Sequence, residues 1–237
     1  MPLYAWIGFV GYVAAWAGHF LGCLSTAAAK EQSNRLQGCL MGFTAGLLIA
    51  FVCFEILPAP LAQGNLYYGI AAVLAGVALS AWMEGRMNQL SHWRKASLLL
   101  ALGLSVHHLP EGLALGAVLR ASTPAGLSLA LMIGIHCLPE SLAVTLPMRQ
   151  AGVSTAKILL LPFLLALPMG LGAFAGGWLC DLSSQFVNAC LGFSGGVMLY
   201  ITCGEILPES HDLWRGRLSA VGAMIGFVCG IWMTAKL

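Results

Sequence analysis

Charge is what this sequence has least of. Of its 237 residues only 8% are Asp, Glu, Lys or Arg, against 59% that are hydrophobic, whereas a soluble domain carries about 25% charged residues. That shortage excludes an ordinary soluble protein. Polar sequence is scarce as well. No stretch is long enough for a second, soluble domain, so residues 1–237 read as one domain. There is no basic patch of the kind that binds nucleic acid. No basic residue precedes Lys30, and the first apolar stretch, from Leu3 to Leu24, is too long for a cleaved signal peptide; it reads as a first membrane helix. The eight cysteines form no Cys-x-x-Cys pair. Most lie in apolar segments, where Cys is usually a small apolar residue. Cys180 and Cys190 flank a loop and could pair on an oxidising face.

What is there is a series of long apolar runs. They place helices at 3–25, 37–58, 67–84, 97–119, 125–147, 155–178, 186–208 and 218–236, each long enough to span a bilayer and joined by short polar breaks. Basic residues set the orientation. Lys30, Arg35, Arg86, Arg94, Lys95, Arg149, Lys157, Arg215 and Arg217 fall on one side, and only Arg120 and Lys236 on the other. The fold expected is an all-α integral membrane protein of eight transmembrane helices with both termini outside. The seven Trp residues mostly fall near helix ends, as interface anchors do. The spacings Gly42-x3-Gly46, Gly172-x3-Gly176 and Gly222-x3-Gly226-x3-Gly230 allow close helix contact. Such spacings more often serve packing within a chain than a homodimer seam, though a homodimer is compatible with them.

Two internal echoes stand out. Val106-His107-His108-Leu109-Pro110-Glu111-Gly112-Leu113-Ala114 recurs as Ile135-His136-Cys137-Leu138-Pro139-Glu140-Ser141-Leu142-Ala143 in the next helix. Glu55-Ile56-Leu57-Pro58 at the end of helix two recurs as Glu205-Ile206-Leu207-Pro208 in helix seven. Helices four and five run oppositely, and so do two and seven. Inverted repeats of this kind mark secondary transporters, with the site near the midplane where the repeats meet; here the arrangement would be three, two and three helices.

Each copy of the longer motif sets a His and a Glu at i and i+4, on one helix face. Ionisable groups at bilayer depth are costly and read by default as functional. Pro110 and Pro139 cannot donate backbone hydrogen bonds, so each frees a carbonyl one turn earlier and kinks its helix. Within a membrane that is tolerated where the backbone packs in protein or lines a wet cavity. Two imidazoles and two carboxylates suit Zn2+, Fe2+, Co2+ or Mn2+ better than Ca2+ or Mg2+, which favour all-oxygen sites. Cys137 adds a softer donor if it points inward. The plain alternative is a polar network with no ion. Glu55 and Glu205 read equally as entry or exit ligands and as interfacial carboxylates. Glu209, His211 and Asp212 read first as solvated loop residues and second as a metal-release relay, and His19 reads first as a core or cavity histidine and second as a ligand.

His107-His108-Leu109-Pro110-Glu111-Gly112 resembles the fourth-helix signature of the ZIP (Zrt/Irt-like) divalent metal transporters. His136-Cys137-Leu138-Pro139-Glu140 resembles the paired fifth-helix signature. Gly195 to His211 in helix seven is similar to the compact bacterial GufA-like branch. The resemblance covers essentially the whole chain. It implies uptake of zinc toward the cytoplasm, with Fe2+, Mn2+, Co2+ and Cd2+ as alternative cargo, in a bacterial cytoplasmic membrane. It also implies that helices one, four, five and six move against two, three, seven and eight. By position, His107, Glu111, His136 and Glu140 match the primary metal site, while His108 and Cys137 fall at a second, adjacent one. The sixth helix of the family usually offers a Glu before a Pro that can bridge two metals; here Leu167 precedes Pro168. One tightly held ion is therefore expected, with a second much weaker, and Leu167→Glu is expected to raise second-site occupancy.

A different reading is an intramembrane zinc-dependent hydrolase, which needs three ligands, an open position and a general base. The ligand count allows it. The absence of a His-Glu-x-x-His motif, and an inverted repeat with no catalytic rationale, weigh against it. A metal sensor lacks any sensory domain.

Overall fold

The computed structural model describes residues 2–28, 33–62, 66–87, 92–179 and 182–235. Lys30, Cys180 and Lys236 lie outside these, as do the side chains of His92, Arg94 and Lys95, so the disulfide expectation for Cys180 falls outside the described residues.

Among the described residues, eight helices are long and apolar enough to cross a membrane. They are α1 (Leu3–Ala28), α2 (Asn34–Ala62), α3 (Leu66–Arg86), α4 (His92–Ala121), α5 (Thr123–Gln150), α6 (Thr155–Trp178), α7 (Ser184–Leu213) and α8 (Arg217–Thr234). The all-helical expectation holds, but α2 and α7 run past their expected ends at 58 and 208. In both, the chain passes the Glu-Ile-Leu-Pro echo through one π-helical turn, Val52–Ile56 and Thr202–Ile206. Leu57 donates its N–H to the Val52 carbonyl, 2.9 Å away and five residues back. That wider turn lets Pro58 and Pro208 stand in the first turn of a following α-helical end, where a missing N–H is harmless. The N-termini match too: the Ser33 and Ser183 hydroxyls accept the N–H of Leu36 and Phe186. Because α7 continues to Leu213, Glu209 is buried rather than solvated, whereas His211 and Asp212 are exposed.

Packing divides the helices. α6 lies against α1 and α4, and α1 against α5; separately, α2 packs on α8, and α3 on α7. Within each set the backbones approach closely through glycine. A Cβ on Gly112 or Gly116 would strike the carbonyl of Met169 or Ala173 in α6, and one on Gly46 the carbonyl of Ala223 in α8. Gly172, Gly176, Gly222 and Gly226 are packed in the same way. The glycine spacings are thus used inside the chain. Between the sets, contact is made by larger side chains. Leu100 and Leu104 of α4 and Ala143 and Val144 of α5 pack with Leu48 of α2 and Met198 and Ile201 of α7. Elsewhere Met132 of α5 meets Leu47 and Phe51 of α2. Among the described residues only Gly103 faces across this divide, and it meets the Ile201 side chain, not backbone. Trp82, Trp178, Trp214 and Trp232 are exposed near helix ends, as the sequence suggests; Trp16 instead stacks on Phe20 within α1.

Candidate metal centre

The two echoed motifs meet at the centre of the bundle. Each His faces the Glu of the other helix. His107 Nε2 lies 3.1 Å from Glu140 Oε1, and His136 Nε2 lies 3.3 Å from Glu111 Oε1. His108, one position further round α4, lies 3.2 Å from Glu140 Oε2. Glu140 therefore gives one oxygen to each of two adjacent imidazoles. All of these residues are buried, at no more than 3% exposure.

The far side of two rings decides what the near side can do. His107 Nδ1 donates to the Gly103 carbonyl at 3.0 Å, and His108 Nδ1 donates to the Leu165 carbonyl of α6 at 3.1 Å. A carbonyl only accepts, so both Nδ1 atoms carry their protons. In the neutral ring Nε2 then presents a lone pair, here aimed at a carboxylate oxygen. Two such groups face each other comfortably only with a cation between them, either a proton or a metal. Metal-bound histidines are held in this manner, the second nitrogen donating to a backbone carbonyl. Glu111 Oε2 points the same way: it is buried with no hydrogen-bond partner, which is costly unless something charged completes it.

Among the described residues, two groups of candidate ligands have donor atoms all within 4.8 Å of one another: His107, His108 and Glu111, and His19, His108, Cys137 and Glu140. The structure thus gathers six of the expected site residues, His107, His108, Glu111, His136, Cys137 and Glu140. The tightest four-ligand group differs from the set expected on resemblance, because His136 contacts the cluster through Glu111 and belongs to neither group. His19 is the residue sequence reasoning undervalued. Its signal was local: Gly18 and Gly22 flank it and let α1 lie against α5, where a Cβ would strike the Gly134 carbonyl or the Ser141 hydroxyl. Glu55 lies within electrostatic reach of His136. Glu205 belongs to neither ligand group and lies within reach of Tyr200. Leu167 is 46% exposed and turned outward among Tyr12, Gly170 and Leu171. A Glu at that position would face away from the cluster, which corrects the expectation placed on Leu167→Glu.

Residues 83–235 match the ZIP zinc transporter family, more than half of the chain. The chain belongs to the ZIP zinc transporter family. It is 31% identical over 250 residues to the zinc transporter GufA of Myxococcus xanthus, covering 97% of this chain and 98% of that one. It is 26% identical over 233 residues to the zinc transporter ZupT of Escherichia coli O7:K1 strain IAI39, covering 90% of each. This ZIP chain is accordingly a transporter-family member and not an enzyme, which sets aside the hydrolase reading.

Apolar side chains close this ZIP protein's centre on two sides. The space beside His107 and Glu140 measures only about 10 Å3 and is lined by Leu48, Leu100, Leu104, Val144, Met198 and Ile201. That is about the least space that can hold one water. On another side the Phe51 ring stands 6.0 Å from that of His136. The His and Glu residues of the cluster have almost no contact with solvent.

Proposed function

We propose that this protein carries zinc toward the cytoplasm, binding it at the bilayer midplane with His107, Glu111, His136 and Glu140. The observation that carries the proposal is the crossed, buried pairing of the two motifs, His107 Nε2 against Glu140 and His136 Nε2 against Glu111, with the His107 Nδ1 proton committed to the Gly103 carbonyl. Zinc transport by relatives similar over nearly their whole length supports it. Fe2+, Mn2+, Co2+ and Cd2+ fit the same nitrogen and oxygen donors and are the competitors to test. The excess of basic residues in alternate loops supports a membrane orientation with both termini outside, and bacterial relatives support a cytoplasmic membrane.

Movement follows from the division of the helices. α1, α4, α5 and α6 form one unit, joined through backbone contacts at glycine; α2, α3, α7 and α8 form the other. Side chains that meet across the divide can slide, whereas interlocked backbones cannot. The equivalent π-helical turns and serine caps of α2 and α7 support an inverted repeat exchanging α1 with α6, α2 with α7, α3 with α8 and α4 with α5. Rocking of one unit on the other separates Leu100 and Leu104 from Met198 and Ile201 toward one face, or Met132 from Leu47 and Phe51 toward the other. Glu55, on α2 beside His136, is the next carboxylate on the outer route.

The test is competitive uptake by proteoliposomes of the purified protein, across several divalent ions and imposed pH gradients. Saturable zinc uptake that other ions compete for supports the reading. Folded protein that binds zinc without moving it overturns it.

A further inference from the structure

We propose that Arg120 and Arg149 are positioning residues for transport. Each anchors the far end of the half-helix that carries Glu111 or Glu140, and so holds that carboxylate against the histidine it faces. The proposal rests on the reading that the midplane cluster binds the transported metal.

Each motif puts a proline between its histidine and its glutamate. Pro110 cannot bond the Val106 carbonyl one turn earlier, nor Pro139 that of Ile135. The helix runs on through both, to Ala121 in α4 and Gln150 in α5, but a missing rung is where a helix bends. α4 and α5 are therefore each two segments, with the His on the first and the Glu on the second. A carboxylate stands about 5–6 Å off its helix axis, so a rotation of the second segment by roughly 10° moves it by about 1 Å. Metal–ligand distances tolerate only about 0.2 Å.

The two second segments end alike. Arg120 follows Glu111 by nine residues, and Arg149 follows Glu140 by nine. Arg120 Nη1 donates to the Gly177 carbonyl of α6 at 3.2 Å, and its guanidinium lies 5.4 Å from the Tyr4 ring of α1. Arg149 Nη1 donates to the Thr26 carbonyl of α1, beside the 2.8 Å contact between the Thr26 and Thr145 hydroxyls. Both carbonyls stand in the last turn of their helix, α6 ending at Trp178 and α1 at Ala28.

Helix direction explains the choice of arginine. Gly112 and Gly116 meet Met169 and Ala173 in order, and Gly18 and Gly22 meet Gly134 and Leu138 in order. So α4 runs parallel to α6, and α5 to α1. Each pair brings two C-terminal ends together, with their unsatisfied carbonyls and partial negative charge. A guanidinium, always charged and rich in donors, offsets that charge and ties the ends together. An arginine serving only as an interface anchor would extend to water; these two turn back onto backbone. Because the His–Glu pairing is crossed, the anchors act on different contacts. Arg120 steadies Glu111 against His136, and Arg149 steadies Glu140 against His107 and His108.

The test uses the full-length protein in detergent. Zinc affinity is read by chelator competition, ligand geometry by the visible absorption of bound Co2+, and folding by melting temperature. Arg120→Gln and Arg149→Gln should each weaken zinc binding about tenfold and shift the Co2+ bands. Arg120→Lys and Arg149→Lys, which keep the charge and a donor, should restore both. Arg120→Met and Arg149→Met, which keep the apolar stem, take the place of a Gln variant that does not fold. In a Glu140→Gln background Arg149→Gln should add little, whereas Arg120→Gln should keep its full factor; in a Glu111→Gln background the two exchange roles. A role confined to stability would lower the melting temperature and leave the affinity factor the same in both backgrounds, which overturns the proposal. Wild-type affinity and Co2+ bands in both Gln variants overturn it too, as do folded Lys variants that bind no better than the Gln ones. Wild-type protein that binds no zinc would overturn the metal-site reading, and this one with it.

Discussion

Glu140→Gln isolates the one carboxylate that two imidazoles share. Its oxygens lie 3.1 Å from His107 Nε2 and 3.2 Å from His108 Nε2, and its side chain is buried. The amide has the same shape, so no cavity opens. In the metal-free protein its NH2 group can donate to one of the two lone pairs, so thermal stability in detergent should hold or rise. Metal binding is another matter. The substitution removes a full negative charge and turns one oxygen donor into a nitrogen that cannot ligate while it carries its two hydrogens. Loss of a partner that merely orients a ligand costs 10- to 100-fold in affinity. Loss of a ligand shared between two imidazoles should therefore cost at least about 100-fold, or about 2.7 kcal/mol. Zinc affinity is read by competition with a chelator, and initial uptake rate in proteoliposomes follows it. An affinity within about threefold of wild type would refute the assignment of Glu140.

Metal binding should also follow pH. Ligating imidazoles must be neutral, so zinc displaces protons on binding and affinity falls as the pH is lowered. A flat zinc affinity between about pH 5.5 and 7.5 in folded protein would contradict histidine ligation. Gly226→Ala drives a Cβ into the Phe43 carbonyl of α2 and should cost about 1–3 kcal/mol, seen as a lower melting temperature with zinc affinity unchanged. Ala at Gly112 forces α4 off the Met169 carbonyl of α6 and should lower stability and zinc affinity together, because Glu111 precedes it. Unchanged affinity in that variant would separate the helix seam from the metal site.

The membrane fold and the centre of the site could be read from residue types alone. Apolar runs of about 20 residues read as helices in lipid, since only helices and closed barrels satisfy their own backbone there and barrel strands need only about 9–11 residues. A His and a Glu at i and i+4, repeated in the adjacent antiparallel helix, must meet if those helices pack. Helix ends were less legible. Pro58 and Pro208 look like terminators, and only a π-helical turn, invisible in composition, carries α2 and α7 past them. Direction of facing was also hidden. Leu167 beside Pro168 looks like a site position but turns outward, and His19 looks like a core residue but turns inward between two glycines. Both depend on how α1 and α6 rotate against α4 and α5, which their uniformly apolar sequences do not encode.

The central claim is that the buried cluster between α4 and α5 is the transported metal's binding site. Zinc uptake into proteoliposomes by Glu111→Ala and His136→Ala, beside the wild-type protein, tests it most directly. Glu111 Oε2 has no other partner to satisfy, and His136 meets the cluster through Glu111, so each change removes a ligand and little packing. The account predicts saturable uptake by the wild type and none by either variant, with both variants folded in detergent. Full uptake by either variant would contradict it.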